Sequence, residues 1–326
     1  LGRPTPGRGP SLVGIGGIPQ PTGPDLPHRA AVHATDGGGG FDAVARPRIP
    51  GRALTLAEHD GGGSESQRLP PAQGGQGQTS KKLPETDALF ANLAEREGRP
   101  LATPDLAPDG PVKRLSIDCK ATVKIGDYAR GGKTRGDHRA ADHDMGGEEK
   151  YIPFGLVDED SGRLHLMFGS SCKTSDFIVD SLKDWWNDLP VPEQTTITHL
   201  QLKVDNGPES SGVRTQFLKR LVDFADHIGK PIHLLYYPPY HSKYNPIERC
   251  WGILEQHWNG TKLVDVDTLL EWAKSMTWKG IHPIVKLSRA VYQKGISLSK
   301  KAMQEVEARL ERNPLLPKWD ILVRPA

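Results

Sequence analysis

From Arg114 to Trp258 the apolar residues recur first with a period of two and then, by turns, with a period near 3.6, in an order that few folds accommodate. Leu115 and Ile117 alternate with Ser116 and Asp118, as in a half-buried strand. Residues 151–157 and 163–168 flank Asp-Glu-Asp-Ser-Gly, which predicts a hairpin with Gly162 at its bend. Phe177, Ile178, Leu182, Trp185 and Trp186 fall at helical spacing behind Thr174 and Ser175, residues suited to a helix start. Leu200, Leu202 and Val204 alternate with Gln201 and Lys203 and run into Asp205-Asn206-Gly207-Pro208, a strand ending in a turn. Phe217, Leu218, Leu221, Val222, Ala225 and Ile228 predict a second helix, stopped by Gly229 and Pro231. Ile232 to Tyr236 reads as a fifth strand. Asn245-Pro246 then opens a third helix with Ile247, Trp251, Leu254 and Trp258 on one face.

This order predicts an α/β fold: a mixed five-stranded sheet with helices on both faces, in the ribonuclease H-like arrangement. If the first and fourth strands lie side by side and parallel, their carboxyl ends form a crevice, and Asp118 and Asp205 both reach it. Glu248, in the first turn of the third helix, can pack beside them. Three converging carboxylates repel one another and raise each other's pKa, so they call for cations. All-oxygen ligation suits Mg²⁺ or Mn²⁺, and two such ions can serve an in-line phosphoryl displacement.

Three stretches carry a resemblance: Ser-Ile-Asp-Cys-Lys at 116–120, Val-Asp-Asn-Gly at 204–207 and, most specific, Tyr-His-Ser-Lys-Tyr-Asn-Pro-Ile-Glu-Arg-Cys-Trp-Gly at 240–252. They resemble the catalytic blocks of DDE transposases, and within that superfamily the Rhodopirellula-type insertion-sequence transposases, over roughly residues 81–320. The resemblance implies a ribonuclease H-like domain that nicks DNA at transposon ends and joins the freed 3′-hydroxyl to target DNA with two divalent metal ions. By position, Asp118, Asp205 and Glu248 are its catalytic and metal-binding triad, with Asn206 and Asn245 supporting them. Asn206 departs from the glycine expected after the second aspartate. DNA is the implied partner, and chemistry on paired ends would suit a homodimer.

The flanks read differently. Residues 1–80 hold 18 of the 36 glycines and 11 of the 28 prolines, with Phe41 the only Phe, Tyr or Trp and no lysine, so they are expected to be disordered or low in complexity. The first methionine is Met145 and lysine first appears at Lys81, which suggests that residues 1–80 are not native sequence. They show no periodicity for the helix-turn-helix that would read the element's ends. The expected layout is therefore a segment over 1–80, a linker and helical lead-in over 81–112, the catalytic domain over 113–276 and a C-terminal helical extension over 277–326, with Met303, Val306 and Leu310 on one helix. A truncated remnant that binds DNA without catalysis, and a plain nuclease of the same fold, are the alternatives to a transposase.

The net charge of +2 excludes a strongly basic coat protein, so DNA contacts must be local. Residues 113–139 carry eight Lys or Arg against three Asp, and Lys120, Lys124, Arg130, Lys133 and Arg135 are candidates to track phosphates, as are His241 and Lys243 before the third helix. His138 and His143 lack a regular ligand spacing, and Glu255 reads as a solvated residue. Three scattered cysteines give no disulfide framework, and no apolar run approaches the roughly 20 residues of a membrane helix. A soluble, intracellular (cytoplasmic, nucleoid-associated) protein is expected.

Overall fold

The computed structural model describes Gly2 and residues 82–99, 111–129, 133–136, 139–140 and 149–326. The expectations for residues 1–80 otherwise lie outside the described residues, as do Arg130, His138 and His143. Helix α1 (Thr86–Arg96) precedes β1 (Val112–Cys119) and the short β2 (Val123–Lys124). The hairpin β3 (Lys150–Asp158) and β4 (Leu164–Gly169) leads to α2 (Ser175–Asp188) and α3 (Val191–Thr196). Next come β5 (His199–Val204), α4 (Thr215–Ile228), β6 (Ile232–Tyr236) and α5 (Pro246–Trp258). The chain continues through α6 (Val266–Ser275), β7 (Ile284–Ser288), α7 (Lys300–Glu307), β8 (Leu310–Arg312) and β9 (Asp320–Val323).

The five expected strands form the centre of one mixed sheet in the order β4-β3-β1-β5-β6, the ribonuclease H-like arrangement. β1 runs parallel to β5 and antiparallel to β3, and β5 runs parallel to β6. Period-two alternation divides the apolar residues between two cores. Leu115, Ile117, Phe154, Leu202 and Val204 pack on one face against Phe177, Trp185, Phe217 and Leu221 of α2 and α4. On the other face Tyr151, Val157, Leu166 and Phe168 pack against Ile247, Trp251, Leu254 and Trp258 of α5 and Leu269 of α6. Local chemistry sets the helix ends. The Thr174 hydroxyl accepts from the Phe177 amide, and Gly229 closes α4 in the left-handed conformation at φ 63°.

Residues 277–326 are not a helical extension. β7 pairs with β4 at one edge, and β9 with β6 and β8 with β9 at the other; with β2 on β3 the sheet has nine strands among the described residues, and the boundary expected at 276 falls inside the folded unit. Sheet edges offer unpaired backbone donors and acceptors, and these three short strands supply partners. Leu310 therefore leaves the helix expected to carry it. α7 ends at Glu307, and Leu310 pairs with Val323. No helix among the described residues is long and apolar enough to cross a membrane.

Gly155 sets how closely α5 approaches the sheet. It pairs with Asp118 across β1 and β3, and a Cβ built there would lie 2.5 Å from Ile247 Cδ1 and 2.7 Å from the Trp251 ring. Gly155→Ala should cost about 1–3 kcal/mol by overpacking and shift Trp251. A denaturation midpoint and tryptophan emission both matching the wild type would show that α5 yields freely there.

Candidate active site

Asp118 and Asp205 stand at neighbouring carboxyl ends of parallel strands: Asp118 is the last residue but one of β1, and Asp205 follows β5 directly. Both belong to the sheet face opposite Leu115, Ile117, Leu202 and Val204, because side chains alternate along a strand. They line a small recess of about 30 Å³ with Cys119, Phe154, Lys173 and Ser210. Burial, and then the negative charges of Asp118 and Glu248, push the Asp205 carboxyl up to about 6, against the opposing Asn245 hydrogen bond and Lys173 charge.

Helix α5 brings the remaining groups. The fully buried Asn245 carries out three tasks: its side-chain oxygen accepts from the Ile247 amide at 3.3 Å, and its Nδ2 donates to the Ile117 carbonyl at 3.2 Å and to Asp205 Oδ1 at 3.4 Å. Pro246 occupies the first helical position, where its missing N–H costs nothing. Glu248 follows in the first turn, where the helix dipole favours a carboxylate. Trp251 packs in the α5 core and donates its indole N–H to Asp118 Oδ2 at 3.0 Å.

Among the described residues no three His, Cys, Asp or Glu side chains gather tightly enough to enclose one ion. The donor set nonetheless suits a hard divalent cation. It is all oxygen, and burial and then the acidic neighbours raise the Asp205 pKa, a penalty on its charge that a cation relieves.

Several expected supporting residues are engaged elsewhere. Asn206 is exposed, and among the described residues its side chain makes no hydrogen bond to the acids. Lys120 is mostly buried in an ion pair with Glu255 at 2.7 Å, so Glu255 is not the solvated residue expected. Arg135 donates to the carbonyls of Gln256 and His257 at 3.2 and 3.5 Å, capping the end of α5 rather than standing free for phosphate. His241 is buried, its Nδ1 2.9 Å from the Pro239 carbonyl and its ring edge-on to Phe90 at 5.4 Å. It is a packing residue of the turn before α5, not one presented to DNA. Lys124, Lys133 and Lys243 are exposed, with Lys243 lying over the Tyr244 ring.

An ionic network, buried except at Glu97, lies beneath the acids. Ser116 and Lys203, two residues before Asp118 and Asp205, share their face. Lys203 bonds Glu97 at 2.5 Å and Glu159 at 2.7 Å, Ser116 donates to Glu159, and Ser116 meets the Tyr237 hydroxyl at 3.0 Å. Helix α1 covers this network. Gln201 donates to the Arg96 carbonyl at 2.6 Å, and Phe90 packs edge-on to Tyr244 at 4.8 Å. Lys173, Trp251 and this network are the parts that sequence reasoning missed. Trp251 stands three residues after Glu248, one helical turn on, and that spacing was the available signal.

The raised Asp205 pKa has a consequence for stability. The folded group binds its proton more tightly than an unfolded Asp at 3.8, so stability falls as pH rises from about 4 to about 6. Without divalent metal, Asp205→Asn should therefore raise stability at pH 7.5, on the order of 1–2 kcal/mol after solvent screening, and change it little at pH 4. A melting curve at both pH values measures this; a variant less stable than the wild type at pH 7.5 would contradict it.

A model of the Rhodopirellula transposase DDE domain matches residues 73–325. No curated protein matches the chain. Among solved structures, the chain is similar to the simian T-cell lymphotropic virus intasome in complex with PP2A regulatory subunit B56 gamma, at 18% identity and TM-score 0.27, over 49% of this chain and 43% of that one. It is also similar to the HTLV-2 integrase catalytic core domain in complex with magnesium (dimeric form), at 13% identity and TM-score 0.29, over 52% of this chain and 91% of that one. The chain thus spans less than half the length of the first of these.

Proposed function

We propose, from the premise that the chain belongs to the Rhodopirellula transposase DDE domain family, that it cuts DNA at the ends of a mobile element and joins the freed 3′-hydroxyl to target DNA. The observation that carries this reading is the pairing of Asp118 and Asp205 at adjacent ends of parallel strands, with Asn245 linking Asp205 to the first turn of the Glu248 helix. Asp118, Asp205 and Glu248 would hold two Mg²⁺ or Mn²⁺ ions, which polarise the attacking oxygen and stabilise the leaving one.

The chain's own residues orient these acids. Trp251 holds the Asp118 carboxylate by donating to Oδ2. Asn245 does the same for Asp205 and, by capping α5, sets where Glu248 begins. Lys173 contributes positive charge beside Asp205, suited to a phosphodiester whose charge grows in the transition state. Burial pushes the thiols of Cys119 and Cys250 up, Cys250 to about 12, so neither is a thiolate nucleophile at neutral pH. Water and then the DNA 3′-hydroxyl are the attacking groups, without a covalent enzyme intermediate. Two DNA ends processed together would require two copies of the chain.

The test is incubation of the chain with labelled plasmid and linear DNA in Mn²⁺. The expected result is nicks with 3′-hydroxyl ends followed by joined products, all abolished by EDTA. Nicks without joining would reduce the activity to that of a nuclease. No nicking, with no shift of the melting midpoint on adding Mn²⁺, would overturn the proposal.

A further inference from the structure

A second concavity adjoins the acids, and the DDE chemistry does not account for it. It holds about 500 Å³ between the β4–α2 loop, the turn after Asp205 and the segment before α7. Lys173 lines both this groove and the recess of Asp118 and Asp205, so the two are continuous through one side chain. The groove carries Lys150, Lys173, Arg214 and Lys294 against Asp176 and Glu209, four positive charges to two negative.

Both acids are committed. Asp176 accepts from Gln216 at 2.9 Å and faces Arg220 at 3.5 Å, and Glu209 faces Lys173 at 3.6 Å. The cations are less so: Lys150 and Lys294 are exposed with no ion pair among the described residues, and the buried Nε of Arg214 has no hydrogen-bond partner there. The far wall is built rather than loose. Tyr292 N donates to Ser171 Oγ at 3.0 Å, the Tyr292 ring packs on Phe177 at 5.8 Å, and Arg214 Nη2 donates to the Ile296 carbonyl at 3.2 Å. Thr122, Ser171, Thr174 and Ser175 are also part of the lining, which contains no aromatic side chain.

We propose that this groove carries the single DNA strand leading away from the phosphate held at Asp118 and Asp205, gripping its phosphodiester backbone through Lys150, Lys294 and Arg214. This deepens the strand-transfer reading and rests on it. The volume admits roughly one or two nucleotides, not a duplex. Without an aromatic platform the bases are not stacked, so the grip is on phosphate and is independent of sequence.

The experiment is fluorescence anisotropy of a labelled single-stranded oligonucleotide over a salt series. It compares the wild type, Lys150→Glu/Lys294→Glu, and the charge-matched Lys82→Glu/Lys274→Glu, whose lysines are exposed outside the groove. Two lost phosphate contacts should weaken binding at least tenfold and reduce the slope of log affinity against log salt by about 1.4, at ~0.7 per contact on a single strand. The matched variant should lose less, and the loss should be equal on oligonucleotides of different sequence.

Cys172 lines the groove and gives a local readout. An activated thiopyridyl disulfide tethered to the backbone beside the reactive DNA end should exchange with Cys172, releasing thiopyridone and leaving a disulfide crosslink in the wild type and not in Cys172→Ser. Equal affinity and slope for the two double variants, or no dependence of the crosslink on Cys172, would overturn the groove. Displacement of the oligonucleotide by inorganic phosphate with no crosslink would mark a small-anion site instead. If the wild type nicks DNA while the groove variants bind as the matched one does, only the groove fails. If it neither binds nor nicks DNA, the proposed function fails first.

Discussion

Asp118→Asn, Asp205→Asn and Glu248→Gln should each lower DNA nicking by about 10³-fold or more, while the protein stays folded. A thousandfold loss is about 4 kcal/mol of transition-state stabilisation, the scale expected when a charged metal ligand becomes neutral. Shape is preserved in each case. An asparagine at 118 still offers an oxygen to the Trp251 indole, and one at 205 removes the buried charge, and its repulsion by Asp118 and Glu248, that raises that group's pKa. Loss of activity with an unchanged or raised melting midpoint therefore separates chemistry from folding. Retained nicking in any one variant would remove that residue from the triad. Glu255→Gln serves as the contrast. It weakens the mostly buried Lys120 ion pair, costing stability on the order of 1–3 kcal/mol, but leaves the acids and so the nicking activity in place.

Removing Lys203 should have the largest effect on stability. Its side chain is 5% exposed and lies between Glu97 and Glu159, the latter 12% exposed. Lys203→Met keeps the length of the side chain but leaves the mostly buried Glu159 without its cation, while the half-exposed Glu97 keeps Arg114, a loss of about 2–3 kcal/mol. Urea denaturation would measure it. Adding Glu159→Gln to Lys203→Met should recover part of the loss, since the uncompensated charge is then gone. A single-variant loss below about 1 kcal/mol would mean that water reaches this network.

What could be read from the sequence was what local chemistry dictates. Asn245-Pro246 announces a helix start because a side-chain acceptor and a missing N–H both suit that position, and the structure uses both. Asp118, Asp205 and Glu248 stood out because each ends or begins an element. The alternation of Ser116, Gln201 and Lys203 with apolar neighbours misled in one respect. It marked a second, polar face and suggested water there, whereas α1 closes that face with partners such as Glu97, 106 residues from Lys203. Period two reports which side a residue is on, not what covers it. The edge strands β7, β8 and β9 escaped for a related reason: they run for five, three and four residues, and what makes them strands is the exposed backbone of β4 and β6. His241 and Arg135 were misread because charge type alone does not reveal a ring packed under Phe90 or a guanidinium spent on helix carbonyls.

The close approach at Gly155 also bears on how the gene can drift. Every glycine codon shares its first two bases, so any missense change at either of them replaces Gly155, and every replacement adds at least a Cβ where Ile247 and Trp251 already stand. Only the third base is free to vary silently. One base change that replaces Gly155 pushes on the helix that carries Glu248 while all three acids stand unchanged.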